Sequence, residues 1–171
     1  GVFITDRGVV VVDTKLANWG PTILERIKTV TNKPVVTVIN THSHGDHTGS
    51  NEFFGAAVET VVHENTRANM ARMDAFKGDK AQFLPKRTYT DKLTLGAGKD
   101  QIDLYHFGPG HTNGDTFTFT HVFKNVKQSF YVRTRATNRD LPEPQMDSSH
   151  NVNPWDDLWC YSNPVMIRVK P

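Results

Sequence analysis

The chain has 171 residues, enough for one domain with a substantial core, and a net charge of +2 with 22% charged residues leaves it close to neutral. That balance offers neither the basic stripe of a nucleic-acid binder nor a polybasic membrane patch, and the longest apolar run, Val9 to Val12, is far too short to span a bilayer. The single cysteine, Cys160, excludes an internal disulfide and leaves the compartment open, while a start on strand-like residues with no signal peptide reads as a soluble protein.

Residues 1–14 predict a β-hairpin, because two β-branched runs flank Asp6-Arg7-Gly8, a sequence suited to a tight turn. Val9 to Val12 is apolar at every position, as a strand buried on both faces requires. Pro21 stands at a favourable first helical position, and Ile23, Leu24, Ile27 and Val30 recur at helical spacing, so 21–30 is expected to be a helix with one face to bury. Asn32-Lys33-Pro34 ends it, and Val35 to Ile39 forms a second buried-type strand that runs straight into Thr41 and His42. A short helix is expected at 49–54, a strand at 58–62, and an amphipathic helix at 64–76 with Met70 and Met73 on its inner face.

Residues 92–95 and 101–107 read as strands separated by Gly96-Ala97-Gly98. A glycine-rich loop, Gly108 to Asp115, then leads into a strand at 116–120 that alternates Thr and Phe. Strands alternating with helices up to this point indicate an α/β architecture with antiparallel pairs at the hairpins. Beyond about residue 120 the character changes: five of the nine prolines fall between Pro142 and Pro171. There, 121–132 has the pattern of a hairpin or edge strand, whereas 141–171 reads as irregular.

Chemistry concentrates in THSHGDHTGS, residues 41–50, where His42, His44, Asp46 and His47 occupy six positions just past the C-terminal end of a buried strand. Open α/β sheets place their ligands at such ends. His42 and His44, two apart on an extended or turning backbone, point to one side and can hold a metal together; Gly45 lets the chain turn so that Asp46 and His47 aim a few ångströms away. Imidazole and carboxylate are the donor set zinc accepts readily, with iron or manganese as alternatives. A second candidate, His111, follows a strand and is flanked by Gly108, Gly110 and Gly114, which allow an unusual loop path. As a third ligand beside His42 and His44 it would complete the open, three-residue pattern of a catalytic zinc site. The other histidines read more plainly: His63 as an exposed helix cap, His106 as a strand residue within reach of the site. Trp19 reads as a packing residue.

THSHGDHTGSN resembles the H-x-H-x-D-H signature of the metallo-β-lactamase superfamily, and GPGHTNGDT resembles that superfamily's next metal-histidine loop. VVVVDT, ending Asp13-Thr14, is similar to the strand that precedes the signature in many members. The resemblance covers about residues 1–119 and implies a metallo-β-lactamase-like αββα sandwich, here an incomplete one: a single domain over 1–171 whose segment 120–171 diverges. It also implies one or two Zn2+ ions, the first on His42, His44 and His111 and the second on Asp46 and His47. Asp46 would further act in catalysis, orienting the attacking hydroxide and moving protons, and Asp13 would fix a histidine ring from behind; a strand-end turn is its other reading.

The family's bridging aspartate falls some twenty residues after the third histidine, where this chain reads Tyr131 to Thr137 with no carboxylate before Asp140. The family's last metal histidine has His150 as its only downstream counterpart. A truncation, a reading-frame shift or a divergent end would each produce this, and Asp140 and His150 stand as tail candidates for the second metal. The expected function is metal-dependent hydrolysis, a metal-bound hydroxide attacking an ester, lactone or lactam-type carbonyl of a small-molecule substrate. The alternatives are a catalytically silent metal-binding remnant and, with the near-neutral charge against it, a nuclease of the same fold. An incomplete sandwich would leave apolar sheet faces that a homodimer covers.

Overall fold

The computed structural model describes residues 1–119, residue 128 and four three-residue strands further on. The chain divides into two compact units, Gly1–Val122 and Phe123–Pro171.

In the first unit, β1 (Val2–Ile4) and β2 (Val9–Val12) form the expected hairpin, with Phe3 opposite Val10. Parallel strands β3 (Val35–Ile39), β4 (Glu59–His63) and β5 (Arg87–Tyr89) extend it into a five-stranded sheet of order β1-β2-β3-β4-β5. Helix α1 (Gly20–Lys28) crosses from β2 to β3, with Pro21 in its first turn and Ile27 buried. A separate antiparallel sheet of β6 (Lys92–Leu95), β7 (Ile102–Tyr105) and β8 (Phe117–Phe119) follows, in the order β6-β7-β8.

The period-2 geometry of the strands divides their side chains between two cores. Val10, Ile39, Val61 and Tyr89 of the first sheet meet Ile102 and Leu104 of the second, so the two sheets pack face to face. On the other face Val9, Val11 and Val38 pack against Ile27 of α1. β2 therefore buries both faces, which is why it carries four valines in a row.

Four elements depart from the sequence expectation. The short helix expected at 49–54 is α3 (Asn51–Phe54), and a further helical turn that was not expected, α2 (Gly45–Thr48), precedes it, so Asp46 and His47 lie on a helical turn. Gly45 opens that turn, and His44 is its extended N-cap. The helix expected at 64–76 stops early: α4 spans Glu64–Met70, followed by 3-10 turns at Asp74–Phe76 and Gly78–Phe83. Met70 and Phe76 bury in the same cluster with Val62, and the extended backbone at Met73 folds the chain over to bring them there. Helical continuation would carry Phe76 past that pocket. β5, which the sequence reading did not assign, closes the edge of the first sheet. In the second unit, β9 (Phe130–Val132) pairs antiparallel with β12 (Val165–Ile167), and β10 (Arg135–Thr137) with β11 (Trp159–Tyr161). Four strands thus occupy part of the region read as a hairpin followed by irregular chain. Among the described residues no helix is long and apolar enough to cross a membrane.

Candidate metal centre

The site lies where the C-terminal end of β3 and the β7–β8 connection meet. Thr41 leaves β3, and its carbonyl accepts a 2.7 Å hydrogen bond from the Thr116 backbone N–H, tying the two loops together. His42, His44 and His111 converge: their ligating atoms all lie within 4.8 Å of one another. The rings form a near-equilateral triangle, with centroids 4.9 to 5.0 Å apart and planes crossing at 77° to 89°. Edge-on rings at the corners of a triangle aim nitrogens at a common point instead of stacking on one another.

Two observations test whether a metal fits that point. His42 is buried, and its Nε2 has no hydrogen-bond partner. A buried polar atom left unpaired costs about 1–3 kcal/mol, a cost that coordination removes. His111 Nε2 and His44 Nδ1 lie 3.1 Å apart. Two nitrogens held at ~2.0–2.1 Å on a tetrahedral ion are about 3.3 Å apart, so the pair sits at ligand spacing. The donor set and the spacing both fit.

Proton placement favours the same role. The Thr41 hydroxyl donates to Asp13 Oδ2 at 2.8 Å, which leaves its oxygen to accept from His42 Nδ1, 3.1 Å away. His42 is thereby held in the tautomer whose Nε2 carries a lone pair. Burial, and next the neighbouring His47, His44 and His111, pushes its pKa down, keeping the ring neutral as a ligand must be. Asp13 Oδ2 also accepts from His47 Nδ1 at 2.8 Å, and Asp13 Oδ1 accepts from the Thr41 backbone N–H at 2.8 Å. Asp13 adopts a left-handed backbone conformation, φ 62°, which an aspartate tolerates better than most residues. His47 Nε2 faces outward, 3.5 Å from Asp46 Oδ2. Asp46 is well exposed.

Beneath the loop lies a polar layer that the sequence reading missed. Asn40 and Asn51, both buried, exchange reciprocal amide bonds of 2.7 and 3.2 Å. Asn40 Nδ2 and the Thr14 backbone N–H both donate to the His47 carbonyl, and the Thr14 hydroxyl donates to Asn51 Oδ1. Buried polar groups persist only when paired, and here the pairing fixes the backbone of α2. The available signal was an asparagine ending an apolar strand, matched by a second one eleven residues on.

His63 is buried, not exposed as a cap was expected to be: β4 carries it into the interior, where it stacks on His106 with centroids 3.8 Å apart. It does cap, since its Nδ1 accepts from the Asn65 backbone N–H. His106 Nδ1 lies 2.9 Å from the Asp115 carbonyl, supporting the His111 loop from behind. Trp19 is exposed, with the Lys15 ammonium 4.9 Å above its ring. Asp140 and His150 lie outside the described residues. A cleft of about 440 Å3 near Val58, Glu59, Phe83 and Arg87 contains none of the ligand histidines. The histidine cluster lies elsewhere, at an open edge.

The sequence model for the metallo-beta-lactamase superfamily matches residues 1–121. The alpha subunit of a 2,4-dinitroanisole O-demethylase from Nocardioides sp. (strain JS1661) is 32% identical over 99% of this chain and 49% of its own length, an alignment that runs on past residue 121. A type 2 metallo-beta-lactamase from Elizabethkingia meningoseptica is 31% identical over 64% of this chain and 42% of its own. Among solved structures, a metallo-beta-lactamase from Pontibacter korlensis superposes with a TM-score of 0.58 at 29% identity, covering 69% of this chain and 53% of that one. The chain spans about half the length of the curated relatives it matches. With two stacked sheets, an outer helical layer and a triangle of histidines where the sheets' loops meet, the chain belongs to the metallo-beta-lactamase superfamily.

Proposed function

We propose that this chain carries the first metal site of a metal-dependent hydrolase, one that attacks an ester, lactone or lactam-type carbonyl. The observation that carries the reading is the convergence of His42, His44 and His111 on one point with His42 Nε2 buried and unpaired. These three residues would hold the ion, zinc by donor type, with iron or manganese as alternatives. A divalent metal supplies Lewis acidity and brings the pKa of a bound water toward ~7.

The remaining work falls to the chain's own groups. Asp13 and Thr41 hold the His42 and His47 rings in their ligating tautomers. Asp46, exposed at the start of α2, would take a proton from an attacking water and return it to the departing group. Among the described residues, Asp46 and His47 Nε2 would offer two ligands to a second ion, which would bind weakly unless the tail or a second subunit completes the set.

The alignment over nearly the whole chain with the O-demethylase subunit favours a second substrate class, an activated aryl methyl ether. Its demands on the site are those of an ester: a nucleophilic oxygen delivered to an electron-poor carbon, and a departing alkoxide that takes up a proton. The test is metal content after purification without chelator, followed by turnover of a chromogenic cephalosporin, a lactone, a phosphodiester and 2,4-dinitroanisole. Less than about half an equivalent of zinc, iron or manganese, unchanged by added metal, would reject the metal reading. Full metal occupancy with no turnover of any of the four would favour a silent metal-binding remnant, and turnover of the phosphodiester alone a nuclease.

A further inference from the structure

The three histidines are not held alike. His42 is buried in the interior, whereas His44 and His111 are exposed. His44 is the N-cap of α2, and its carbonyl accepts from the backbone N–H groups of His47 and Thr48. Exposed as it is, His111 meets the other two rings only from the side, so its position depends strongly on where its backbone is anchored. It also belongs to the connection of the three-stranded sheet, while the other two ligands belong to the five-stranded one.

The anchor is the first turn of α4. Thr66, fully buried, donates its hydroxyl to the Gly114 carbonyl at 2.5 Å, not to a carbonyl of its own helix. Asn65 Nδ2 donates to the Asn113 carbonyl at 2.8 Å, and Asn69 Nδ2 to Asn113 Oδ1 at 2.7 Å. Residues 65 and 69 are one turn apart on a single helical face, so three side chains grip two consecutive loop residues. The approach is close: a Cβ on Gly114 would lie 2.5 Å from Thr66 Oγ1 and 2.6 Å from the Thr66 backbone nitrogen. Glycine at 114 is what lets the loop sit against the helix.

From there the constraint passes to His111 through short links. The Asp115 carboxylate accepts from the Thr112 backbone N–H and hydroxyl, and the Gly110 backbone N–H donates to the Thr112 carbonyl. His111 is thus bracketed between two fixed residues. α4 is itself anchored on the five-stranded sheet side, with Met70 buried against Val62 of β4 and Asn65 capped by His63. The clamp therefore ties the loop that carries the third ligand to the sheet that carries the first two.

We propose that Thr66, assisted by Asn65 and Asn69, is the positioning residue that holds His111 in reach of His42 and His44. The inference rests on the reading that these three histidines bind a metal. It assigns α4 a share in metal affinity although none of its residues touches the ion.

The experiment measures zinc affinity of the full chain by competition with a chromogenic chelator, alongside the melting temperature of the metal-free form. Thr66→Val keeps the shape and removes the donor, and should raise the zinc Kd ~10-fold or more, the range found when supporting partners of metal ligands are lost. Thr66→Ser restores the hydroxyl and should return the Kd to within about twofold of the parent. The cobalt-loaded Thr66→Val protein should also lose visible absorption intensity as the three-nitrogen set loosens. A Thr66→Val protein that melts lower but binds zinc within about twofold of the parent has only a structural threonine, and the proposal is overturned. Should Thr66→Val fail to fold, the surface pair Asn65→Ala/Asn69→Ala decides: a several-fold rise in Kd supports the clamp, and an unchanged Kd refutes it. A parent chain that binds no zinc overturns the metal reading and this inference together, whereas a zinc-binding parent with indifferent variants overturns the inference alone.

Discussion

Replacing Asp13 by asparagine separates the stability of the fold from its capacity to hold metal. Asp13 Oδ1 accepts from the Thr41 backbone N–H, while Oδ2 accepts from the Thr41 hydroxyl and His47 Nδ1, all at 2.8 Å. An asparagine must keep its oxygen on the backbone N–H, so its amide nitrogen takes the Oδ2 place. That nitrogen donates to His47 Nδ1 and to the Thr41 oxygen, and the Thr41 hydrogen must then turn to His42 Nδ1. Both rings are driven to the tautomer with hydrogen on Nε2, the nitrogen needed for metal. The number of hydrogen bonds is unchanged and asparagine tolerates the left-handed backbone, so Asp13→Asn should cost about 1 kcal/mol, roughly 2–4 °C in Tm.

Asp13→Ala differs in both respects. It removes two bonds from Thr41 worth about 1.5 kcal/mol each at the low end appropriate to a partly exposed carboxylate, leaves the third partner, His47 Nδ1 on a partly exposed ring, to water, and adds about 1 kcal/mol for alanine in the left-handed region. The sum, about 4 kcal/mol, corresponds to a fall of roughly 8–16 °C. Thermal melts in chelator read stability, and zinc titration reads affinity. Asp13→Asn should melt near the parent yet bind zinc ~10–100-fold more weakly. Tight zinc binding by Asp13→Asn would refute the tautomer argument, and an Asp13→Ala protein as stable as Asp13→Asn would refute the count of bonds and strain.

Zinc at a hundredfold excess over Kd should stabilise the parent by about 2.7 kcal/mol, seen as a Tm rise of roughly 5–11 °C that chelator reverses and that His111→Ala largely abolishes. Gly49→Ala should cost more than Gly45→Ala. A Cβ at 49 meets backbone on three sides (Ala17 N, Gly45 O, Leu16 C at 2.5–2.7 Å), whereas at 45 it meets open space. Denaturant midpoints would check this, with about 1 kcal/mol or less expected at 45 and 3 kcal/mol or more at 49. Burial, and next the neighbouring His106, holds the His63 pKa below its ordinary value, so the unfolded chain takes up the proton first as pH falls. Metal-free protein should therefore lose stability below about pH 6.5, and His63→Asn, which keeps an acceptor for the cap, should flatten part of that slope in urea melts at successive pH values.

Local signals made much of this readable. Val9–Val12 and Val35–Ile39 announce buried strands because each position is apolar, and Pro21 with Ile23 and Ile27 announces α1. The histidine cluster was legible because ligand-bearing residues are rare enough to stand out where a strand ends. What escaped was decided by tertiary contact. The helix after His63 looks continuous through Phe76, yet the pocket shared by Met70, Phe76 and Val62 ends it at Met70. His63 looks exposed in sequence because nothing local says that His106 will stack on it. Thr66 and Asn69 look like ordinary polar helix positions, since the loop they hold lies more than forty residues away. Asn40 and Asn51 pair across eleven residues, and neither alone carries a pattern.

The separation of 67 residues between His44 and His111 has a consequence beyond coordination. The unfolded chain retains a local run of three histidines and an aspartate, but the full triangle exists only once both sheets have formed and met. An ion captured by all three histidines is therefore a readout of completed tertiary structure, released whenever the sheets part. Where free metal is scarce, survival of the chain against proteolysis would then track metal supply.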